Sequence, residues 1–454
     1  MKTINDSQIQ SVLQLFSTIH KEAWLVGGCV RDMLMGRELH DYDITTDATP
    51  YEVMALFQEK GYRVIPTGLK HGTVTVLVQD EPIEITTYRT ESAYTNHRSP
   101  EAVHFTPDID EDLKRRDFTM NAIAWHPERG VHYPYHGQAD IAKKTIRCVG
   151  KASERMQEDA LRILRAMRFH CTLHFTIEEE TVQAIRTHAH LLSYISRERI
   201  REEFNRILLQ DYPDTLQLLK EMRVLDTIAA GYTKLMNKEQ NNPWHIYDVF
   251  THTDVALNHT KGMALEGKLA IIFHDTGKPA CETLDADGIS HYYGHAQKSV
   301  ELARCWLKRL HYDNRTIQRV LRCIAYHDYN LTPKKSTLRR YLSKFDNQLE
   351  DALLALDVQL ADQLAKNPEP AANGVRIIRQ CKELLLHMHA EEDPLSLQTL
   401  AVNGRDMMDF GLYGKQIGTA LYMLLDYAMQ DPTRNTKKQL IEELNRKYQS
   451  LHNA

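Results

Sequence analysis

The sequence lacks the features that would mark a membrane-bound, secreted or disulfide-stabilised protein. No apolar run approaches the roughly 20 residues that a membrane-spanning helix needs. The first 16 residues are polar and amphipathic and contain no signal-peptide core. The seven cysteines are scattered without CxxC spacing, which argues against a disulfide framework or a zinc knuckle. We therefore expect reduced thiols in a cytoplasmic protein without a membrane partner.

A basic excess is also missing. The formal net charge is −5, and even the segment 151–206 carries ten Lys and Arg against nine Asp and Glu. A strongly basic stretch is the usual sequence sign of a nucleic-acid binder. Any contact with nucleic acid must therefore depend on how the fold sorts charges onto different faces.

The chain has no low-complexity tract and no internal repeat, and its 454 residues predict three or four modules. Residues 1–147 mix β-rich runs with helices, whereas the pattern from about Ala152 onward is helical. Polar, proline-containing breaks occur at Asn237–Trp244 and Ala365–Gly374. The sequence therefore predicts an α+β fold with segments 1–147, 148–236, 237–370 and 371–454.

Two β-rich runs in the first segment predict a hairpin. His71–Val78 and Pro82–Arg89 are rich in Val, Ile and Thr and flank a short polar turn. Glu91–Asp112, in contrast, has two prolines, many polar residues and little periodicity. We expect a long mobile loop there, and such loops are often functional.

The segment Leu25–Pro50 predicts nucleotidyl transfer. Asp41 and Asp43 are two apart, so in an extended strand both carboxylates point to one face and can hold a pair of divalent metals. Two metals can clamp a triphosphate and lower the pKa of an attacking hydroxyl. Gly27–Gly28 allows close approach of a phosphate, and a helix starting near Val30 would aim N–H groups at it.

A third carboxylate would complete such a metal shell. Glu84, alone among the apolar and Thr residues of IEITTYR, is the best candidate. The ordinary polar face of a half-buried strand explains the same pattern equally well.

The string DLKRRDFTMNA, Asp112–Ala122, is a second candidate for nucleotide contact. Arginine grips triphosphate oxygens in a bidentate fork, and Arg116 stands beside Asp117 and Asn121. Those two side chains suit ribose hydroxyls or the cap of the next helix. Arg115 is also compatible with a simple charged helix start.

Asp159 and Arg162 are three apart and are expected to share one face of a single helix. Aspartate accepts from an exocyclic amino group, and arginine donates to a ring nitrogen or carbonyl. Cytosine and adenine present the matching order of groups, whereas uracil and guanine would leave buried groups unpaired. The pair therefore predicts selection of CTP and ATP, the alternative being an i,i+3 surface salt bridge.

The strings GGCVRDMLMGR, DYDITTDA, RRDFTMNA, EDALRILRAMRF and SRERIREEF together resemble the bacterial class II tRNA nucleotidyltransferases of the polymerase-β superfamily. The resemblance covers at least residues 24–210. It implies a catalytic head with a mixed sheet, then an all-α neck, body and tail that hold tRNA. It also implies Mg²⁺ ligation by Asp41 and Asp43. The nucleotide contacts that it implies are Gly28, Arg31, Arg116, Asp117, Asn121, Glu158, Asp159, Arg162 and Arg165.

The loop Glu91–Asp112 corresponds to the flexible loop of that family, which is linked to the switch from C to A addition. It is undeleted here, which favours complete CCA addition over CC addition.

A histidine-rich region follows the neck. His252, the adjacent pair His274–Asp275 and the distal Asp362 have the H…HD…D order, which resembles the HD superfamily of metal-dependent phosphohydrolases over residues 243–366. Imidazole and carboxylate ligands together suit Mn, Ni, Fe or Zn. The accessory candidates are Lys278, His295 and His327. Either this region cleaves cyclic phosphates or 2′-nucleotides, or it only supplies helices to the tRNA-binding body.

The leading hypothesis is addition of C, C and A to tRNA 3′ ends from CTP and ATP, with Mg²⁺, by a monomer or a homodimer. An A-adding enzyme or a poly(A) polymerase is the alternative within the same superfamily. A phosphohydrolase with a vestigial head and a non-catalytic RNA-binding protein are the alternatives from other classes.

Overall fold

The computed structural model describes residues 6–39, 41–91, 94–95, 99–100, 102–390, 397 and 399–452. The chain divides into two compact units. The first comprises Met1–Tyr212 and Leu218–Ile228, and the second comprises Pro213–Gln217 and Ala229–Ala454.

A seven-stranded mixed sheet forms the centre of the first unit. In spatial order its strands are Gly130–His132, Ala124–His126, Ala23–Val26, Tyr42–Thr46, Glu81–Thr87, Thr73–Val78 and Arg63–Gly68. Tyr42–Thr46 and Glu81–Thr87 run parallel, and the other neighbouring pairs are antiparallel. The predicted hairpin is confirmed, and its turn residues Gln79 and Asp80 both have positive φ, as a tight hairpin turn requires.

Strand alternation decides which residues face the core. Tyr42 and Ile44 are buried beneath the sheet, where Phe16 and Phe57 meet edge to face at 5.6 Å. Because successive side chains point to opposite faces, Asp43 lies on the open face.

The prediction of a long loop over Glu91–Asp112 is wrong for those residues of the segment that the structure describes. Arg89–Glu91 pairs with Val103–Phe105, and Tyr94–Thr95 pairs with Ser99–Pro100. Helix Ile109–Lys114 then begins after an Asp108 cap. These strands are only two or three residues long, which is too short to produce a recognisable alternation in the sequence. Residues 92–93, 96–98 and 101 lie outside the described residues, so mobility of the loop stays a prediction.

The remaining elements of the first unit are mostly helical. Its parallel strand pair is Thr145–Ile146 with Thr176–Ile177. Its 3₁₀ turns are Leu69–His71, Thr119–Asn121 and Ala189–Tyr194. Its α-helices are Asp6–Ser17, Gly28–Leu34, Pro50–Glu59, Ile109–Lys114, Gly137–Ala142, Ala152–Glu158, Leu161–Leu173, Glu179–His188, Arg197–Leu208 and Leu225–Ile228. Helix Thr215–Glu221 contains residues of both units.

The second unit is helical apart from the hairpin Thr283–Leu284 with Ser290–His291 and the 3₁₀ turn Pro432–Arg434. Its α-helices are Tyr232–Met236, Val249–Asn258, Leu265–Phe273, Lys278–Cys281, His295–Arg309, Asn314–Ala325, Lys335–Ser343, Leu349–Leu364, Pro368–Ala390, Gly404–Asp409, Lys415–Gln430 and Lys437–His452. A mixed-sheet head followed by helices confirms the predicted α+β class.

The break predicted at Ala365–Gly374 is shorter than expected. Only residues 365–367 separate two helices, because Pro368 opens the next helix at its first position, where a proline is tolerated. The segment boundary at residue 370 therefore falls inside a helix, and the four-segment division remains a prediction. Among the described helices, none combines the length and apolar character that a membrane crossing requires.

Candidate functional site

A cleft of about 650 Å³ in the first unit brings together most of the residues that the sequence singled out for nucleotidyl transfer. Glu84 and Glu158 are not among its lining residues. Nine arginines and five carboxylates line it, so the fold creates a basic surface on an acidic chain. The arginines are Arg31, Arg89, Arg115, Arg116, Arg162, Arg165, Arg168, Arg199 and Arg206. The carboxylates are Asp41, Asp43, Glu91, Asp117 and Asp159.

The carboxylates predicted for metal binding lie on neighbouring parallel strands. Asp41 immediately precedes strand Tyr42–Thr46, and Asp43 is paired across the ladder with Glu84. Desolvation raises the pKa of Asp43; Arg116 opposes the shift, and the charges of Glu84 and Asp41 add to it. Several carboxylates that repel one another on an open face are a donor set that fits a divalent cation.

Gly27 lines the cleft next to Arg116. Its φ is +82°, and a Cβ built there would lie 3.1 Å from Nη1 of Arg116 and 4.0 Å from Oδ2 of Asp43. Only glycine combines this backbone conformation with that proximity. The helix that follows starts at Gly28, two residues earlier than predicted.

Asp117 links the segment DLKRRDFTMNA to helix Leu161–Leu173, and Asn121 links Asp117 to Arg31. Asp117 accepts from Nε and Nη2 of Arg165 at 2.8 and 2.6 Å and from Nδ2 of Asn121 at 3.1 Å. Oδ1 of Asn121 accepts from Nη1 of Arg31 at 2.7 Å. Burial raises the pKa of Asp117, but Arg165 and Asn121 outweigh it and hold that pKa at about 2. Asp117 is therefore an ionised anchor for this wall of the cleft.

The two arginines of DLKRRDFTMNA have different surroundings. Arg115 is paired with Asp112 at 2.7 Å and with Glu91 at 3.2 Å, and Asp112 is completely buried. Arg116 makes a longer contact with Asp112, at 3.4 Å. Its buried Nε has no partner among the described residues, which suits it to an anion.

The expected single helix through Asp159 and Arg162 is wrong. Helix Ala152–Glu158 ends at Asp159, whose φ of −132° and ψ of 102° are extended, and the next helix starts at Leu161. The side chain of Asp159 accepts from the backbone N–H of Leu161 at 3.0 Å, as an aspartate often does at a helix start.

Asp159 and Arg162 consequently have separate partners and form no i,i+3 pair. Asp159 lies 3.3 Å from Nη2 of Arg199. Arg162 donates to Glu158 at 2.6 Å and to the carbonyl oxygen of Arg115 at 2.9 Å. Both residues still line the same cleft.

Several residues that line the cleft from two helices were not predicted from the sequence. Arg168 and Phe169 follow Arg165 on helix Leu161–Leu173, and Arg199 and Arg206 line the cleft from helix Arg197–Leu208. Residues seven apart occupy the same helix face. The seven-residue spacing of Arg199 and Arg206 was therefore the sequence signal that could have identified them as neighbours in the cleft.

In the second unit, the H…HD…D residues converge. Their candidate ligand atoms all lie within 4.8 Å of one another, and all four side chains are buried. Nε2 of His252 is 3.0 Å from Oδ1 of Asp362, and Nε2 of His274 is 3.1 Å from Oδ2 of Asp275. A second group on the other oxygen of Asp275 contains His295 and His327, at 3.4 and 3.8 Å.

The hydrogen bonds around this cluster fit metal ligation. Each of four histidines has Nδ1 between 2.7 and 3.3 Å from a backbone carbonyl oxygen: His252, His274, His295 and His327. A proton on Nδ1 leaves the Nε2 lone pair directed at the centre, as is usual for metal-binding histidines. Nε2 of His274 and Oδ2 of Asp275 are buried without a hydrogen bond among the described residues.

The two carboxylates of the cluster are ionised. Although burial raises the pKa of Asp275, His274 and Lys278 bring it well below its ordinary value. Lys366, which sequence reasoning missed, does the same for Asp362 against its burial. Although burial lowers the pKa of His274, Asp275 and Asp362 raise it to about 9, so its imidazole carries a proton that a divalent transition metal would replace.

A pocket of about 710 Å³ opens onto this cluster. Two lysines lie at its base: Lys278 is 2.7 Å from Asp275, and Lys366 is 2.5 Å from Asp362. Two aromatic residues at its mouth are strongly exposed, Trp244 at 53% and Tyr293 at 79%. The pocket therefore combines phosphate-binding charge with aromatic faces.

Comparison with known families agrees with the geometry of the first unit. Residues 23–147 match the model described as "Poly A polymerase head domain". Residues 174–234 match the model described as "Probable RNA and SrmB- binding site of polymerase A".

Individual relatives extend this comparison. A CCA-adding enzyme of Bacillus cereus (strain Q1) is 47% identical over 212 residues, which are 47% of this chain and 52% of the relative. The chain thus matches about half the length of that curated relative. A Bacillus stearothermophilus CCA-adding enzyme in complex with CTP is 27% identical, with a TM-score of 0.74 over 99% of this chain and 100% of that one.

A Thermotoga maritima CCA-adding enzyme complexed with tRNA shares the fold, at 17% identity and a TM-score of 0.61 over 97% and 96% of the two chains. The chain is therefore similar in sequence over about half its length, and in fold over nearly all of it, to CCA-adding enzymes of the class II polymerase-β type.

Proposed function

We propose that this protein adds C, C and A to the 3′ end of tRNA, using CTP and ATP and releasing pyrophosphate. The observation that carries the proposal is the single cleft that contains Asp41 and Asp43 together with Asp159 and Arg162. The identity to CCA-adding enzymes supports the same activity.

In the reaction, the 3′-hydroxyl of tRNA attacks the α-phosphorus, a new P–O bond forms, and the bond to the β-phosphate oxygen breaks. Asp41 and Asp43, with Glu84 beside them, would hold Mg²⁺. The bound metal would lower the pKa of the hydroxyl and offset the charge of the triphosphate. The side chains of the cleft would bind the nucleotide and select its base.

Triphosphate binding is assigned to the basic wall around Gly27–Gly28. Arg116 approaches Gly27 closely, and its buried Nε has no partner among the described residues, so this N–H can donate to a phosphate oxygen without losing an existing bond. Asp117, fixed by Arg165 and Asn121, has the charge and position to bond a ribose hydroxyl.

Nucleotide selection is assigned to Asp159 and Arg162. Glu158 fixes the guanidinium of Arg162 from the side, and the helix break leaves the carboxylate of Asp159 at the cleft. An acceptor beside a donor complements the edges of cytosine and adenine and opposes those of uracil and guanine.

The switch from C to A is assigned to the strand pair that begins at Arg89–Glu91. Glu91 binds Arg115, and the carbonyl oxygen of Arg115 accepts from Arg162. Arg115 thus connects these strands to Arg162, so a shift of the strands can change the position of Arg162.

The test is to incubate the protein with tRNA that lacks CCA, together with CTP and ATP, and to read the products at single-nucleotide resolution. Asp41→Ala is expected to abolish all addition, since it removes a metal ligand, while its melting temperature matches that of the unaltered protein. Addition that persists in Asp41→Ala would contradict the assignment of the catalytic site.

As a second function, we propose a metal-dependent phosphohydrolase in the second unit. The observation that favours it is the convergence of His252, His274, Asp275 and Asp362, whose candidate ligand atoms all lie within 4.8 Å of one another. These residues would hold a transition metal such as Mn or Ni, which supplies an activated water when bound. Lys278 and Lys366 would orient the phosphate, and Trp244 and Tyr293 offer stacking faces to a base. Cyclic phosphates and 2′-nucleotides are the substrates this pocket suits.

Two phosphate monoesters test this second site. With added Ni or Mn, 2′-AMP and the base-free glycerol 2-phosphate should both be hydrolysed, and Asp275→Ala should abolish both reactions. Tyr293→Leu should raise KM for 2′-AMP alone. No metal-dependent turnover of either ester would contradict the proposal.

A further inference from the structure

Three arginine side chains contact one aromatic ring in the cleft. The guanidinium carbons of Arg168, Arg31 and Arg165 lie 4.3, 5.2 and 5.5 Å from the ring centroid of Phe169. Cation–π contacts reach to about 6 Å and occur roughly once per 70–80 residues. Three on one ring therefore form a distinct feature of this cleft.

The ring is held rigidly between the head and the neck. Phe169 is only 5% exposed and meets Phe118 edge to face at 5.8 Å. Arg165 precedes it by one turn of the same helix, whereas Arg31 belongs to helix Gly28–Leu34, more than a hundred residues earlier. Phe169 thus contacts arginines that belong to separate helices.

Three guanidinium groups so close together repel one another. Each has a carboxylate partner that limits the cost: Asp32 for Arg31, Asp117 for Arg165 and Glu203 for Arg168. Even so, burial and then the charge of Arg165 lower the pKa of Arg168, although Glu203 opposes them. The electron-rich face of a phenyl ring attracts each cation without occupying an N–H group, so the N–H groups that are not bonded to the carboxylates or to Asn121 stay available to a ligand.

We propose that Phe169 is a positioning residue that holds Arg31, Arg165 and Arg168 in the orientation that receives the triphosphate of incoming CTP or ATP. The inference rests on the proposed nucleotidyl transfer. Phe169 does not touch the reacting atoms, and it has no polar group with which to read a base. Its effect is therefore on nucleotide affinity, equally for both nucleotides, and not on the chemical step or on the choice between them.

The test compares Phe169→Leu with Phe169→Tyr, because leucine keeps an apolar side chain but removes the ring, whereas tyrosine keeps the ring. Phe175→Leu is the matched control, since Phe175 is a buried phenylalanine of the same region, without an arginine over its ring among the described contacts. Binding of CTP and ATP is measured by calorimetry, and KM and kcat are measured for addition to tRNA. Melting temperatures report on folding.

Phe169→Leu should raise Kd and KM about tenfold for both nucleotides, with kcat and nucleotide choice unchanged. Phe169→Tyr and Phe175→Leu should bind like the unaltered protein. If Phe169→Leu does not fold, Phe169→Met takes its place. Unchanged affinity in the leucine or methionine variant, or equal weakening in Phe169→Tyr, would overturn the role of the ring. Failure of the unaltered protein to bind either nucleotide would instead contradict nucleotidyl transfer itself.

Discussion

Asp43 and Glu84 occupy directly paired positions on neighbouring parallel strands, so their side chains share the open face of the sheet. The ladder explains why a residue more than forty positions away lies beside Asp43 and can be proposed as the third carboxylate. Glu84→Gln keeps the shape of the side chain and removes one negative charge. We expect kcat for nucleotide addition to fall about 10- to 100-fold, as for the loss of one preorganised electrostatic contact. Steady-state kinetics at varied Mg²⁺ checks this, and the required Mg²⁺ concentration should rise. Glu81→Gln, on the same strand, is the control; an equal loss there would contradict a specific role for Glu84.

Arg162→Ala is expected to relax nucleotide choice. The variant removes the donor to the base edge, so incorporation of UTP and GTP should rise relative to CTP and ATP by about tenfold or more. Single-nucleotide incorporation with each of the four triphosphates measures it. Arg186→Ala removes an arginine from another helix of the same unit and should leave the choice intact. Unaltered selectivity in Arg162→Ala would show that the templating argument is wrong.

The ion pair between Asp117 and Arg165 should make the first unit sensitive to acid. The folded-state pKa of Asp117 is about 2, below its ordinary value of 3.8. Its contribution to stability is therefore complete above pH 4 and is lost as the pH falls towards 2. From the size of the shift, that contribution is about 2 kcal/mol.

Urea unfolding of the unaltered protein and of Asp117→Asn tests this relationship. The difference between the two free energies of unfolding should be constant near neutral pH and should shrink between pH 4 and 2. A difference that does not change with pH would mean that the ionised pair does not stabilise the fold.

Loss of the metal site in the second unit should leave nucleotide addition unaffected. Asp275→Ala removes the carboxylate whose two oxygens face the two histidine groups, so bound Mn or Ni measured by elemental analysis should fall to background. CCA addition should continue at its normal rate. Asp41→Ala provides the reciprocal control, since it should retain the transition metal while losing addition. Metal retained in Asp275→Ala would contradict the assigned ligand set.

The sequence was sufficient to predict an element or a site wherever the residues that form it are close together in the chain. The hairpin strands, the Asp41 and Asp43 pair and the adjacent His274–Asp275 could be recognised from local spacing. Partnerships between distant residues could not. Nothing local indicates that Asp117 pairs with Arg165, 48 residues later.

The helix break at Asp159 escaped prediction for a related reason. The apolar periodicity continues through it, and no glycine or proline marks the interruption. The aspartate side chain that caps the following N–H group stabilises it. The basic cleft was equally hidden, because its arginines come from elements throughout the first 206 residues, whose overall composition is not basic.

The most direct test of CCA addition uses three tRNA transcripts that end before CCA, after C and after CC. Each is incubated with CTP alone, ATP alone and both, and the added nucleotides are counted. The account predicts two C from CTP alone on the first transcript, one C on the second, A alone on the third, and complete CCA with both nucleotides. Addition of A only to the CC-ended transcript, or long A tails on any transcript, would contradict it.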